Sequence, residues 1–206
     1  MNSDKLKETT PKKKIVIFAS GNGTNAENII KYFQLTEVAE VALVLSNKKD
    51  ARVLERAKNL NVDTLSFTKE ELSSEEGVLK NLKDVKPDLI VLAGFLLKFP
   101  EVIIAEFPNK IINIHPALLP KYGGKGMYGS AVHEAVVKNK DTETGISIHY
   151  VNENYDEGAI ISQKTVQLSG ADTPATVAAK VHELEYEWFP KIIEEVLNGK
   201  KSGSEQ

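Results

Sequence analysis

Residues 14–34 read KIVIFASGNGTNAENIIKYFQ. After Lys14 the first seven residues hold only apolar or small side chains, with no polar alternation. A strand of that kind is buried on both faces, the mark of a parallel sheet covered by helices on each side. SGNGTN (20–25) follows without a linker, and NAENIIKYFQ (25–34) places apolar residues at helical spacing. Glycines let a backbone approach a ligand closely, and a helix N-terminus offers free N–H groups at the positive end of its dipole. The unit therefore reads as the first step of a doubly wound α/β fold, and as a turn able to hold a phosphate or carboxylate. It is not a dinucleotide fingerprint, because Glu27 and Asn28 stand where a third glycine belongs, and no Lys-Ser/Thr pair follows as in an NTPase loop. A plain tight turn explains the glycines equally well at this stage.

The pattern continues outward. VALVLSN (41–47), TLSF (64–67), PDLIVLAGF (87–95) and IINI (111–114) read as strands. ARVLERAKNL (51–60) reads as a helix, and KEELSSEEGVLKNLKDV (69–85) as a charged helix or helix pair. The last third differs: GISIHYV and AIISQKTVQL predict an antiparallel hairpin that extends the mainly parallel sheet. TPATVAAKVHELEYEWFPKIIEEVLNG predicts a long closing helix, capped by Thr173 with Pro174 at its first position, and kinked or divided at Pro190. Residues 1–13, Lys-rich and without an apolar core, read as a disordered lead-in, and 14–200 as one domain.

Composition narrows the function classes. The 206 residues are 41% hydrophobic and 27% charged, with a net charge of −3. That balance gives no reason to expect nucleic acid or an anionic membrane as partner. The absence of cysteine fits a reducing, cytoplasmic setting and removes thiol chemistry. The longest apolar run, Leu89 to Leu97, is far short of a membrane span.

One apolar strand ends abruptly in chemistry. In IINIHPALLPKYGGKGMYG (111–129), Asn113 and His115 close the strand and Pro116 fixes the chain behind them. In an open doubly wound sheet, ligands lie beyond the carboxyl ends of the strands. SGNGTN, AGFLLKFP and NIHP all occupy such ends and should line one crevice. Asp156, in the turn YDEG, is a candidate partner for His115. A carboxylate holds an imidazole in place and favours its charged form, and an Asn amide can donate to an oxyanion. Together they suit attack on a carbonyl carbon without a covalent nucleophile, and one His with one Asp is too few ligands for a metal. His133 reads as a surface or lining residue, and His149 as a structural histidine.

SGNGTN, VLAGF, NIHPALLPKY and GISIHYVNENYDEGAII resemble, in order and spacing, the phosphoribosylglycinamide formyltransferases, folate-dependent enzymes of purine synthesis. The likeness runs over about residues 14–195. It implies the formyltransferase fold, with an N-terminal part that binds phosphate and a C-terminal part that binds folate. It implies Asn113, His115 and Asp156 as the catalytic trio, and Gly23, Thr24 and Asn25 as the phosphate loop. Glu185 would contact the glycinamide substrate, and His182, one turn earlier, would lie where some family members place a basic residue near its phosphate. Leu96, Leu97, Lys98 and Phe99 would border the folate on one side, and Asn152, Glu153, Asn154, Tyr155 and Asp156 on the other, with Asn113 between. Lys69 corresponds to a family arginine near the folate tail, and Leu97 or Lys98 to a second arginine. The loop YGGKGMYG lacks a His often found there. The co-substrate implied is 10-formyltetrahydrofolate, with no metal, acting on phosphoribosylglycinamide in a monomer or weak homodimer. A cis Leu119–Pro120 bond is implied as well. The expected chemistry has Asp156 raising the pKa of His115, which stays protonated to stabilise the oxyanion beside Asn113. The rival reading is a 10-formyltetrahydrofolate deformylase with water as acceptor. Formyltransferases acting on initiator Met-tRNA or a sugar nucleotide, and a non-catalytic phosphate sensor, are more distant readings.

Overall fold

The computed structural model describes residues 11–199; residues 1–10 of the expected lead-in and Lys200 lie outside them. Lys13 already pairs in the first strand, one residue earlier than the sequence suggests. The elements follow in the order β1 (Lys13–Phe18), α1 (Thr24–Thr36), β2 (Ala39–Ser46), α2 (Arg52–Asn59), β3 (Asp63–Ser66) and α3 (Lys69–Ser73). A wide helical turn, Glu75–Leu79, joins α3 to α4 (Lys80–Val85) and is broken at Gly77. Then come β4 (Leu89–Leu92), α5 (Glu101–Glu106), β5 (Ile111–His115), α6 (Ser130–Lys138), β6 (Glu143–Tyr150), β7 (Ile160–Gln167) and α7 (Pro174–Leu197). Helix α5 is absent from the sequence reading.

The seven strands form one sheet in the order β3-β2-β1-β4-β5-β6-β7. β1 to β5 run parallel, β6 lies antiparallel beside β5, and β7 pairs antiparallel with β6. The unalternating apolar strands explain this arrangement, because each must be covered twice. Ile15 and Ile17 of β1 face a core closed by α1, α2, α6 and α7. Val16 and Phe18, one residue out of phase, face a second core closed by α3, α4 and α5. Phe18 meets the edges of Phe67, Phe95 and Phe99, with centroids 5.1–5.9 Å apart.

The chain runs outward from β1 to β3 on one side and from β4 onward on the other. The order reverses between β1 and β4, so the loops after these strands diverge and leave a crevice at their carboxyl ends. Helix α7 closes that end. Thr173 caps it by accepting from the Thr176 N–H, and Pro174 takes its first position. Contrary to the expected division, α7 runs unbroken through Pro190. Proline has no N–H to donate to the carbonyl of Tyr186, and Asn28 of α1 supplies the missing donor at 2.8 Å. Among the described residues no helix is long and apolar enough to cross a membrane.

Candidate active site

The crevice at the switch point has a volume of about 570 Å³. One end is built from the first loop. Gly23 caps α1 with a left-handed φ of 75°, and no side chain caps the helix, so the first-turn N–H groups stay open to a ligand. Gly23 is required on steric grounds too: a Cβ there would lie 2.4 Å from the Cβ of Val53. Arg56 of α2 holds the loop from below, donating to the Asn22 carbonyl at 3.0 Å and pairing with Glu27. Against this end stands α7. Asn25 Nδ2 donates to Glu185 Oε2 at 2.9 Å, and His182 Nδ1 lies 3.0 Å from the same oxygen. Both contacts go to Oε2. The Glu185 hydrogen bond, outweighing burial, holds the His182 pKa above its ordinary value.

The middle of the crevice holds the polar end of β5. His115 is 3% exposed. Its Nε2 lies 2.7 Å from the carbonyl of Tyr122, which can only accept, so Nε2 carries a proton. Its Nδ1 faces Asp156 Oδ2 at 3.5 Å. Asp156 sits in the β6–β7 turn with a left-handed φ of 54°, and its Oδ2 also accepts from the Gly124 N–H at 2.9 Å. Burial pushes the Asp156 carboxyl up, but the two imidazoles beside it, His149 and His115, and the Gly124 N–H together hold it below the usual carboxylate range.

His115 departs from expectation. Burial dominates and lowers its pKa, against the opposing pull of Asp156 and the Tyr122 carbonyl. The ring is therefore neutral in the free protein near pH 7, not held protonated. The reason is geometric: at 3.5 Å the carboxylate makes no full hydrogen bond, while the desolvation of a nearly buried ring is fully felt.

His149 is the residue that sequence reasoning placed too far from the chemistry. Its Nδ1 donates to the Tyr150 carbonyl at 2.8 Å, so its Nε2 is a bare acceptor. That acceptor takes one N–H of Asn113 at 3.1 Å. The second N–H of Asn113 has Asp156 Oδ1 only at 3.5 Å, a length that leaves it available to a ligand oxygen. His149 thus orients the amide. It pairs across the sheet with Asn113 in the β5–β6 register, a relation no local motif reports.

Of the residues singled out from sequence, Gly23, Thr24, Asn25, Leu96, Asn113, His115, Tyr155, Asp156, His182 and Glu185 reach the crevice wall. Lys69, Leu97, Lys98, Phe99, Asn152, Glu153 and Asn154 do not. Phe99 is 4% exposed and packs into the second core against Phe18, and Lys98 pairs with Glu101 in solution. Of the expected segment 96–99, Leu96 lines the crevice, next to Phe95. The wall also includes the glycine-rich stretch 124–129, and His133 of α6, which the sequence marks as a surface or lining residue and which is 8% exposed. The Leu119–Pro120 bond is cis.

Comparison with known proteins agrees with this geometry. Residues 13–193 match the formyl transferase family. A phosphoribosylglycinamide formyltransferase of Bacillus subtilis is 34% identical over 90% of this chain and 95% of its own. A chloroplastic enzyme of the same name from Arabidopsis thaliana is 36% identical over 93% of this chain and 69% of its own. The structure of the Coxiella burnetii phosphoribosylglycinamide formyltransferase, 36% identical, superposes with a TM-score of 0.83, covering 92% of this chain and 89% of that one. The chain belongs to the formyl transferase family, among the phosphoribosylglycinamide formyltransferases.

Proposed function

We propose that the protein transfers the formyl group of 10-formyltetrahydrofolate to the primary amine of phosphoribosylglycinamide, as a step of purine biosynthesis. The observation that carries this reading is one crevice joining an uncapped helix N-terminus to the Asn113, His115 and Asp156 cluster. A phosphate on the α1 N-terminus fixes one substrate, and the polar end of β5 meets the transferring carbon of the other. Phe95, Leu96 and Tyr155 offer apolar surface at the remaining end, suited to a pterin ring.

The chemistry follows from the protonation states. The amine attacks the formyl carbon, and its carbonyl oxygen becomes an oxyanion. The free N–H of Asn113 donates to that oxygen. The attacking amine sheds one proton, and the leaving folate nitrogen needs one. Neutral His115 takes up the first, because Asp156 and the Tyr122 carbonyl both favour the charged ring, and returns it to the leaving nitrogen. Asp156, ionised throughout, stabilises the transient imidazolium. Much of the acceleration comes from holding two substrates in register.

A monomer or weak dimer working on these two small molecules, without metal, is the simplest form of the proposal. A cytoplasmic setting rests on the cysteine-free composition. The deformylase reading is disfavoured by the phosphate end of the crevice, which a water acceptor does not need. Tetrahydrofolate release, followed by absorbance, tests the proposal: turnover should require phosphoribosylglycinamide. Equal turnover without it would overturn the transferase reading.

A further inference from the structure

His133 lies on α6, faces both the main crevice and an adjoining hollow of about 310 Å³, and takes no part in the chemistry above. The hollow is walled by Ala178, Ala179 and Val181 of α7, and opens to the crevice past His182 and Glu185. The Nδ1 of His133 is buried with no hydrogen-bond partner among the described residues. A buried N–H without an acceptor is costlier than a buried lone pair without a donor, because carbonyl-type acceptors tolerate partial satisfaction and orphaned N–H groups are rare. The proton of the neutral ring therefore belongs on Nε2, the nitrogen that is not sealed off. Burial keeps the ring neutral against the pull of Glu185. His133 thus presents a fixed N–H donor to the cavities.

Glu185 shares that wall and brings a carboxylate whose side-chain contacts both fall on Oε2, which leaves Oε1 for a ligand. The wall therefore offers one carboxylate acceptor and one N–H donor. A phosphate, which only accepts and is anionic, is repelled by Glu185 and has its place at the α1 N-terminus. Hydroxyl groups, which both donate and accept, match the set.

We propose that His133 is a specificity-determining residue, its Nε2–H donating to a sugar hydroxyl of the phosphorylated amine substrate whose O–H is accepted by Glu185. This rests on the function proposed above. It assigns the donor to α6, an element that no sequence motif connects with the substrate.

Two measurements test it. Replacing His133 with Leu keeps bulk but removes the donor, and His133→Gln places an amide N–H near the position of Nε2. The Leu variant should raise KM for phosphoribosylglycinamide about tenfold, the effect of one lost hydrogen bond. Its kcat and its KM for 10-formyltetrahydrofolate should stay within about twofold. The Gln variant should recover most of the loss. Equal KM in wild type and Leu variant, or Leu and Gln variants equally impaired, would overturn the inference. The second measurement uses the unaltered protein. The ¹⁵N shifts of His133 at pH 7 should report the Nε2–H tautomer, and should move when phosphoribosylglycinamide is added. A Nδ1–H or charged ring, or shifts indifferent to the substrate, would overturn it independently of any folding defect in the variants. If wild-type protein neither binds nor formylates phosphoribosylglycinamide, the functional reading falls and this inference with it. If wild type does both and the Leu variant binds as tightly, only the inference falls.

Discussion

A Cβ added to Gly23 would meet not only the Cβ of Val53 but its Cα, at 2.6 Å, and Val53 is fully buried in α2. The glycine at the uncapped N-terminus of α1 is therefore also a packing glycine, and any side chain there strains the left-handed backbone and pushes α2 away. Gly23→Ala should cost about 2–4 kcal/mol of stability, from backbone strain and overpacking together. Urea denaturation checks this; a variant of wild-type stability with only a weakened amine KM would show that the loop glycine serves the ligand alone. Asn113 combines two roles in a similar way. Asn113→Ala removes an oxyanion donor, and kcat should fall by about 10²–10³. It also strips the buried Nε2 of His149 of its donor, so stability should fall by about 1–3 kcal/mol. Single-turnover kinetics and a denaturant midpoint separate the two effects. Near-normal turnover would remove Asn113 from the chemistry, whatever happens to the midpoint.

Helix α7 shows why some elements read well from sequence and others do not. Its start is encoded locally, by Thr173, Pro174 and Thr176, and is found where the sequence puts it. Its continuation past Pro190 depends on Asn28, a side chain on another helix far away in the chain, and no local pattern reveals that. The dependence makes a prediction. Asn28→Ala should lower stability by about 1 kcal/mol, because the Tyr186 carbonyl then loses its Asn28 donor. In a Pro190→Ala background the backbone N–H of residue 190 takes over that carbonyl, and Asn28→Ala should cost little. A double-mutant cycle by chemical denaturation measures the coupling, and strictly additive effects would refute it. The strands were legible because their apolar runs are a local property of residues 15–18, 41–45 and 89–92. Helix α5 was not, because EVIIAE is too short to display helical periodicity before Phe107 ends it. The break at Gly77 was half legible: the sequence allowed a helix pair. The position of the break follows from a steric fact, a Cβ at Gly77 falling 2.1 Å from the Glu71 carbonyl oxygen.

At the scale of the molecule, all four histidines of the chain gather at one end of the sheet: His115, His133 and His182 on the crevice wall, and His149 behind Asn113. Asn113, His115 and Asp156 could be picked out because each ends a strand or sits in a turn. His149 could not, since a histidine within a strand looks structural until its neighbours are known, and His133 was legible only as a surface or lining residue. This gathering ties the site to the pH dependence of folding. Burial lowers the folded pKa of His115 and of His133 below the unfolded value near 6.5. Between the folded values and 6.5 the unfolded chain binds more protons, so the stability these rings contribute is full above pH 6.5 and is lost as pH falls through that window. His182 has the opposite sign: its folded pKa is raised, so its contribution is full below 6.5 and is lost only as pH rises. The depressed carboxylates among the described residues, Glu27, Glu70, Asp141, Asp156 and Asp172, act only below their ordinary values of 3.8 to 4.5. Between pH 6.5 and 5 the acid loss therefore belongs to His115 and His133. If both rings take up a proton on unfolding, stability should fall by up to about 2.7 kcal/mol per pH unit. His115→Gln, which cannot titrate, should bring that slope to roughly half, and urea midpoints at pH 7.0, 6.0 and 5.5 for the two proteins measure it. A wild-type stability flat across that range would mean that the rings are not held neutral in the fold. The proton-accepting role given to His115 would fall with it, because a ring already charged in the free protein has no place for the proton the amine must lose.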